Sequence, residues 1–591
     1  MALRIVVILY MLLGAFLSPS LAADKRSGPT IPEFLSPEEE VRYERAFSAL
    51  KDGDIERAEA EVKYLRNDLL LGSLQGEILL ARENPDMQSV LDWLHRFPDL
   101  PQAKTLVSWA DAQGTAAINL PELPAQSTPD IILPPQQQPL ETNRDHARFN
   151  TPGINKALKA DNFETAEKLW NRVNKKQILL KTVTGGRVAW HAYLAGDDER
   201  AIRVGVKAGS PPVRQAALGL WAAGLASWRM GQYHNAYQHF VAVLSKPKLD
   251  KKMEAAAGFW AARSAFVAKM PENVSGLLSI PARQPESYYG LLSLRWLGLA
   301  PRLDLKKPKV DAADWEQILN IAGVKRAVTF ARMGFPALAD QEFQTLWHRL
   351  DVAQFDAVYA LVSRLGLPRT EAWIADQKRI GSDRLLSKRL PNPNWTPYGG
   401  WSISPHLIFA IVYQESRFFR ARRSYAGARG VMQIMPQTVS EIVKSRHFKS
   451  KRRYSLNNPL YNLALGQAYL KILSDRYRGY TEGKLVKVIA SYNAGPGHLK
   501  RWSATKGAED SLLFIESIPF RETRHYVKNV LCYYWRYQLQ EKNGTPDLGV
   551  LVAGRWAQLP GVSRNDIQKR SIKPKPGKGK KNSSPHKDKK R

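Results

Sequence analysis

Cysteine is almost missing from this chain: Cys532 is the only one in 591 residues. A single thiol excludes an intramolecular disulfide and a zinc site built on cysteines, so stability has to come from packing. Cys532 sits in Val530-Leu531-Cys532-Tyr533-Tyr534-Trp535 and reads as a small buried hydrophobe. Acidic residues are also scarce, 55 against 87 Lys and Arg, giving a net charge of +32 and a pI near 10.0. Such a chain is drawn to polyanions: nucleic acid, anionic lipid or acidic wall polymers. No nucleic-acid-binding motif accompanies the charge, and nucleic acid is not expected as a partner. Long apolar runs are missing beyond the first residues, so no later segment is expected to span a membrane.

What the chain has begins with its leader. Arg4, the apolar run Ile5 to Leu13 and Ser20-Leu21-Ala22-Ala23 describe a secretory signal peptide over residues 1–22, cleaved after Ala22 or Ala23. No cysteine follows it to carry a lipid anchor. The length predicts two to four domains. A hydrophobic content of 44% and a mean hydropathy of -0.37 suit soluble globular ones.

Residues 36–117 read as a helical repeat segment, opened by the cap, proline and acids of Ser36-Pro37-Glu38-Glu39-Glu40. A unit then recurs. Gly53 is followed five residues later by Ala58, and the same offset joins Asp161 to Ala166, Gly196 to Ala201, Gly231 to Ala236 and Gly334 to Ala339. A helix ended by a left-handed residue, a short turn and a second helix with a small residue for close approach explain the pattern. Stacked pairs of this kind make an α-superhelix; a non-repetitive helical bundle is the alternative. A Pro/Gln-rich linker (118–147) interrupts the pattern, which resumes as an α-superhelical domain over 148–377. Its Trp221, Trp228, Trp260, Tyr288, Tyr289 and Trp296 are expected at helix–helix interfaces. A Pro-rich linker (378–398) precedes a compact, mainly helical domain at 399–545. Residues 546–591 lose pattern and read as a disordered basic tail, with 11 Lys/Arg and one acid from Lys569 onward. The tail is either a solvated end or an electrostatic tether to anionic lipid or wall polymer.

The chemistry concentrates in 399–545. Ser404-Pro405 starts a helix, with Ser404 the N-cap, and Ile408, Ile411, Val412 and Glu415 share a face by spacing. Between Asp383 and Glu441, Glu415 is the only acid, and Arg417, Arg420, Arg422, Arg423 and Arg429 follow it. Burial would raise its pKa, as a general acid requires, and the arginines would lower it. The other reading is a helix-end Glu paired with an Arg. Three further stretches belong with it: Gly427-Ala428-Arg429-Gly430-Val431-Met432-Gln433-Ile434-Met435-Pro436; Ala490-Ser491-Tyr492-Asn493-Ala494-Gly495-Pro496-Gly497; and Ile515-Glu516-Ser517-Ile518-Pro519-Phe520 with Glu522-Thr523-Arg524. They offer flexible glycines, amides and a phenol of the kind that bind sugar.

With Gln414-Glu415-Ser416 and Tyr526-Val527-Lys528-Asn529-Val530, these stretches resemble the soluble lytic transglycosylases that cleave bacterial peptidoglycan. The resemblance covers roughly 399–540 and more loosely 148–375, where Tyr288-Tyr289-Gly290-Leu291-Leu292 also fits. It implies an all-α protein, an N-terminal α-superhelix followed by a lysozyme-like catalytic domain, acting without cofactor or metal. It implies Glu415 as the one catalytic acid, closing the muramoyl 6-hydroxyl on C1 to a 1,6-anhydro end. By position Ser424, Gln433, Met435, Tyr492, Asn493 and Glu516 would form the substrate cleft, with Tyr492 orienting the sugar or Glu415. The implied setting is the periplasm of a Gram-negative bacterium, with a monomer acting on peptidoglycan glycan strands. One departure is Phe419-Arg420, where the family often has Asn-Pro; it leaves the following loop and the placement of Ser424 open. A muramidase of the same fold would need a second carboxylate near Glu415; Glu441, Glu516 and Glu522 are the candidates. A non-enzymatic glycan-binding scaffold would need no acid at all.

Overall fold

The computed structural model describes residues 30–113, 149, 151–301, 303, 310–376, 389–448, 454–504 and 507–561. The signal-peptide expectation, the 118–147 linker, and 562–591 of the expected tail lie outside them. Among the described residues the protein is built of helices, with three isolated bridges and no sheet.

The recurring offset has a common geometry. Gly53, Asp161, Gly196, Gly231 and Gly334 all have φ between 52° and 89°. The N–H of the next residue returns to a carbonyl five positions back: Asp54 to Ala49, Asn162 to Ala157, Asp197 to Ala192, Gln232 to Ser227 and Phe335 to Phe330, at 2.8–2.9 Å. This is the Schellman closure of a helix C-terminus. Asp54, Asn162 and Asp197 then cap the following helix with their side chains. Ala58, Ala166, Ala201, Ala236 and Ala339 are each 0% exposed, because the two helices of a pair meet there. Two more pairs share the turn. Lys269 and Gly366 are left-handed, but Val274 and Glu371 stand at the Ala position, so the offset did not reveal them.

Among the described residues the two larger of three cores cut across the linear order of the chain, and the smallest lies within Leu79–Leu106. Residues from the first helical block (Tyr43, Phe47, Leu50) share a core with Trp315, Val324, Phe330 and Phe343 of the last superhelical pairs. Phe47 meets Phe330 edge-on at 5.2 Å, and Arg332 pairs with Glu40 at 3.2 Å. The larger core joins the superhelix after residue 154 to the C-terminal domain. Trp221, Trp228, Trp260, Tyr288 and Tyr289 are buried in it and Trp296 packs against it. Tyr288 stacks on Trp535 at 5.7 Å, and the Cys532 thiol donates to the Glu286 carbonyl at 3.0 Å. Gly290 lets this docking helix turn tightly, since a Cβ there would lie 1.9 Å from the Gln284 carbonyl oxygen.

The C-terminal domain wraps helix Pro405–Ser416, in which Leu407 to Val412 are all 0% exposed. Apolar on every side, it is a central buried helix rather than an amphipathic one. Its N-terminus starts on Pro405, and the Ser404 side chain makes no capping bond. Around it stand helices Pro436–Lys444, Pro459–Asp475, Leu485–Ala494, Ser511–Ser517 and Arg521–Gln540. The strap at 389–398 is tied to the last of these. Gln540 bonds both the N–H and the carbonyl of Leu390, and the Tyr537 hydroxyl donates to the Pro391 carbonyl at 2.7 Å.

The expected tail is corrected at its start. Pro546–Val552 is a helix with Leu548 and Leu551 buried, and Ala557 and Pro560 accept backbone bonds from Leu485 and Ser404. Its apolar residues dock on the large core: Leu548, Leu551 and Ala557 are buried in it, and Val550, Val552, Trp556 and Leu559 pack against it.

Candidate active site

Glu415 lies one residue from the C-terminus of the central helix. The helix ends there because Arg417 and Phe418 both take left-handed φ, 50° and 63°. That turn carries the chain away and leaves the Glu415 carboxyl half-buried against helix Arg521–Gln540. The Tyr526 hydroxyl donates to its Oε1 at 2.6 Å. Burial raises the carboxyl's pKa to about 7; the Tyr526 bond opposes this, Glu522 reinforces it and Arg422 opposes it. Burial also pushes the Tyr526 and Tyr492 phenols well above their ordinary range, so both stay protonated donors.

The arginines that follow Glu415 in sequence mostly turn elsewhere. Arg417 pairs with Asp376 at 3.0 Å and lies over the Tyr413 ring at 3.9 Å. Arg420 lies over Trp395 at 5.3 Å. Arg422 is the one of these whose charge acts on Glu415. The competition between burial and arginine charge is thus decided by where the loop sends the guanidinium groups.

The Gly-rich stretch wraps under the acid. Ser416 Oγ donates to the Val431 carbonyl at 2.8 Å, which couples the loop to the helix carrying Glu415. Asn462, 0% exposed, accepts from the Met432 N–H at 2.7 Å and donates to the carbonyls of Arg429 and Leu456. The Tyr492 hydroxyl donates to the Met432 carbonyl at 2.8 Å. Tyr492 therefore fixes the loop; its hydrogen bond does not go to Glu415. Gln433, at φ 49°, donates its amide to the carbonyls of Arg422 and Gly430. Ser424 closes a tight turn with Ala428 through its N–H and its Oγ. Met435 occupies the N-cap position of the helix that follows the loop without a side-chain capping bond, and Asn493 accepts from Thr523 at 2.6 Å.

Glu516 is not brought to the cleft. It is 3% exposed, its carboxylate pairs with Lys528 at 2.5 Å, and it accepts from the Tyr289 hydroxyl of the superhelix. Its expected substrate contact is corrected to a buried joint between domains, because the short helix Ser511–Ser517 packs that face inward. Of the three acids that were open as a second carboxylate, Glu522 acts on Glu415. Glu441 pairs with Arg476. Sequence reasoning passed over Tyr526, Arg422, Ser416 and Asn462 as site residues. Tyr526 lies 111 positions from Glu415, and only its place in a family-like stretch marked it.

The half-buried Glu415 carboxyl near neutrality, its tyrosine donor and the pinned glycine-rich loop make one connected site. Residues 398–515 match the transglycosylase SLT domain and 517–544 the soluble lytic transglycosylase helical domain. Over 165 residues it is 38% identical to the soluble lytic murein transglycosylase of Salmonella typhimurium, an alignment covering 27% of this chain and 25% of that protein. Over 150 residues it is 39% identical to the soluble lytic murein transglycosylase of Escherichia coli K12, covering 24% and 22%. The chain thus matches about a quarter of these relatives' length. A solved structure of an inactive mutant of the lytic transglycosylase Slt from Pseudomonas aeruginosa has a similar fold, with TM-score 0.51 at 20% identity over 88% of this chain and 89% of that one.

Proposed function

We propose that this protein is a periplasmic lytic transglycosylase that cleaves the β-1,4 bond between N-acetylmuramic acid and N-acetylglucosamine in peptidoglycan. Glu415 protonates the glycosidic oxygen as the C1–O bond breaks. The resulting carboxylate takes the proton from the muramoyl 6-hydroxyl, whose oxygen bonds to C1 and leaves a 1,6-anhydro end. A pKa near 7 suits both roles, since one group must give and then recover a proton at neutral pH. The substrate's own hydroxyl is the nucleophile, so no second carboxylate is required.

The observation that carries this reading is the half-buried Glu415 carboxyl held by Tyr526 beside the pinned 429–434 loop. The net charge of +32 suits a polymer bearing peptide and muramoyl carboxylates. In this reading Ser424, Gln433, Met435, Tyr492 and Asn493 would shape the sugar sites. Glu522 is the feature a muramidase would use to activate water. Replacing Glu415 by Gln in the full-length protein tests the acid: release of soluble muropeptides from purified sacculi should fall by about 10²–10⁴-fold. Wild-type release from the variant would refute the assignment and favour a glycan-binding scaffold.

A further inference from the structure

Where the superhelix meets the turn that ends helix Pro405–Ser416, a small cavity opens to the surface on one side. A water molecule's centre can occupy about 20 Å³ of it. Helices Pro336–Trp347 and Pro368–Asp376 of the superhelix form one wall, and Phe418, Phe419 and Arg420 of the C-terminal domain form the other. Pro336, Leu367, Pro368 and Phe418 make its sides largely apolar, and three charged residues line it: Asp340, Arg369 and Arg420.

The charged residues are near enough to act on one another and too far apart to bond. Asp340 is 6% exposed and accepts from the Thr370 hydroxyl at 2.5 Å. The charges of Arg369 and Arg420 both act on it. Yet among the described residues neither guanidinium has an ion pair or a hydrogen bond. Each lies over a ring instead, Arg369 over Phe419 at 4.0 Å and Arg420 over Trp395 at 5.3 Å. Burial disfavours the Arg420 charge and pulls its pKa down, and Asp340 offsets this only in part. Buried donors without acceptors are costly, so these two cations have room for a further partner.

Two guanidinium groups against one carboxylate leave the cavity with one positive charge in excess. A single added carboxylate balances it, and the guanidinium fork matches a carboxylate's paired oxygens. The volume suits a head of a few heavy atoms and excludes a sugar ring. We propose that this cavity binds a monocarboxylate carried on a small apolar group, gripped between Arg369 of the superhelix and Arg420 of the C-terminal domain. Two sources share that chemistry: the C-terminus of a wall peptide and a free small acid. The bound carboxylate ties the two domains together behind the turn 417–420. Phe419 and Arg420 stand where the family that the chain resembles often has Asn-Pro, so the site is built on this chain's own departure. It makes no use of Glu415 or its reaction.

Isothermal titration calorimetry of the full-length protein at pH 7 and low salt is the test. N-acetylalanine and acetate are the probes, and N-acetylalaninamide, which lacks the carboxylate, is the control. N-acetylalanine should fill one saturable site with a Kd of about 1 mM or tighter, and the amide should give no binding heat. Arg369→Met and Arg420→Met should each weaken binding at least roughly tenfold. Arg423→Met, at an exposed arginine of the same loop, should leave it within about twofold. Asp340→Asn should tighten it, because the like charge beside the anion is gone. That opposite sign separates loss of the anion's partners from a loosened cavity. Tighter binding of N-acetylalanine than of acetate marks a peptide terminus as the source, and equal binding marks a free acid. No saturable site, equal binding of the amide, or equal weakening by Arg423→Met would overturn the proposal, leaving a water-filled gap on a basic protein.

Discussion

The hydroxyl of Tyr526 and the carboxyl of Glu415, 111 positions apart in sequence, meet in a hydrogen bond of 2.6 Å. A donor on a carboxylate favours the ionised form, so this bond holds the acid's pKa below the value that burial alone would give. Tyr526→Phe should therefore move the alkaline limb of the pH–rate profile upward by roughly one unit. It should also lower kcat, because the carboxyl loses its orienting partner. A profile whose limb stays in place or moves down would show that Tyr526 does not act on the acid.

The same burial makes Glu415 a cost to stability. Its pKa is about 7 in the folded protein against 4.5 ordinarily. A raised carboxyl pKa means that stability is full below the unfolded value and falls as pH rises from about 4.5 through 7. Glu415→Gln removes the charge, so at pH 8 the variant should be more stable than wild type, by up to roughly 3 kcal/mol before solvent screening reduces it. At pH 4 the two should unfold alike. Denaturant melts at both pH values check this; equal stabilities at pH 8 would contradict it.

Gly430 carries the bend of the loop beneath the acid. Its φ is 82°, and a Cβ there would lie 2.2 Å from the Leu456 carbonyl oxygen and 2.3 Å from the Asn462 amide nitrogen. Gly430→Ala should cost about 2 kcal/mol or more, from the left-handed backbone and the displaced Asn462. Activity should fall further than the melting temperature implies, since Asn462 also holds Met432. Gly427, at φ 90° with open space around it, is the control: Gly427→Ala should show only the backbone penalty.

Glu516 and Lys528 form a buried pair at 2.5 Å, both nearly withdrawn from solvent. Glu516→Gln strands the lysine's charge and should destabilise the protein by about 3–5 kcal/mol. The double variant with Lys528→Met should recover much of that loss, and KM for glycan should stay at the wild-type value in both. A several-fold rise in KM with unchanged stability would instead return Glu516 to the substrate cleft.

Local features were the legible part of this protein. Helix Pro405–Ser416 follows from Ser404-Pro405 and the apolar run, and the left-handed turns follow from Gly53, Gly196, Gly231 and Gly334. Lys269 shows the limit of that pattern, since a lysine in the same turn carries no sequence signal. The roles of Glu516 and Tyr526 were not legible, because each is set by a partner on another element, Tyr289 and Glu415. The segment 546–561 differs from the tail beyond it: its apolar residues, Leu548 and Leu551 among them, dock on the core, whereas the basic run that suggests a tail begins only at Lys569.

In the proposed reaction Glu415 works alone, with the muramoyl hydroxyl as nucleophile. Mass spectrometry of the muropeptides released from purified sacculi by wild type and Glu415→Gln tests it most directly. Glu415-dependent products one water lighter than those of a muramidase, and absent from the variant digest, are the predicted result. Glu415-dependent products carrying the full mass of hydrolysis would contradict the account and assign Glu522 the second carboxylate's role.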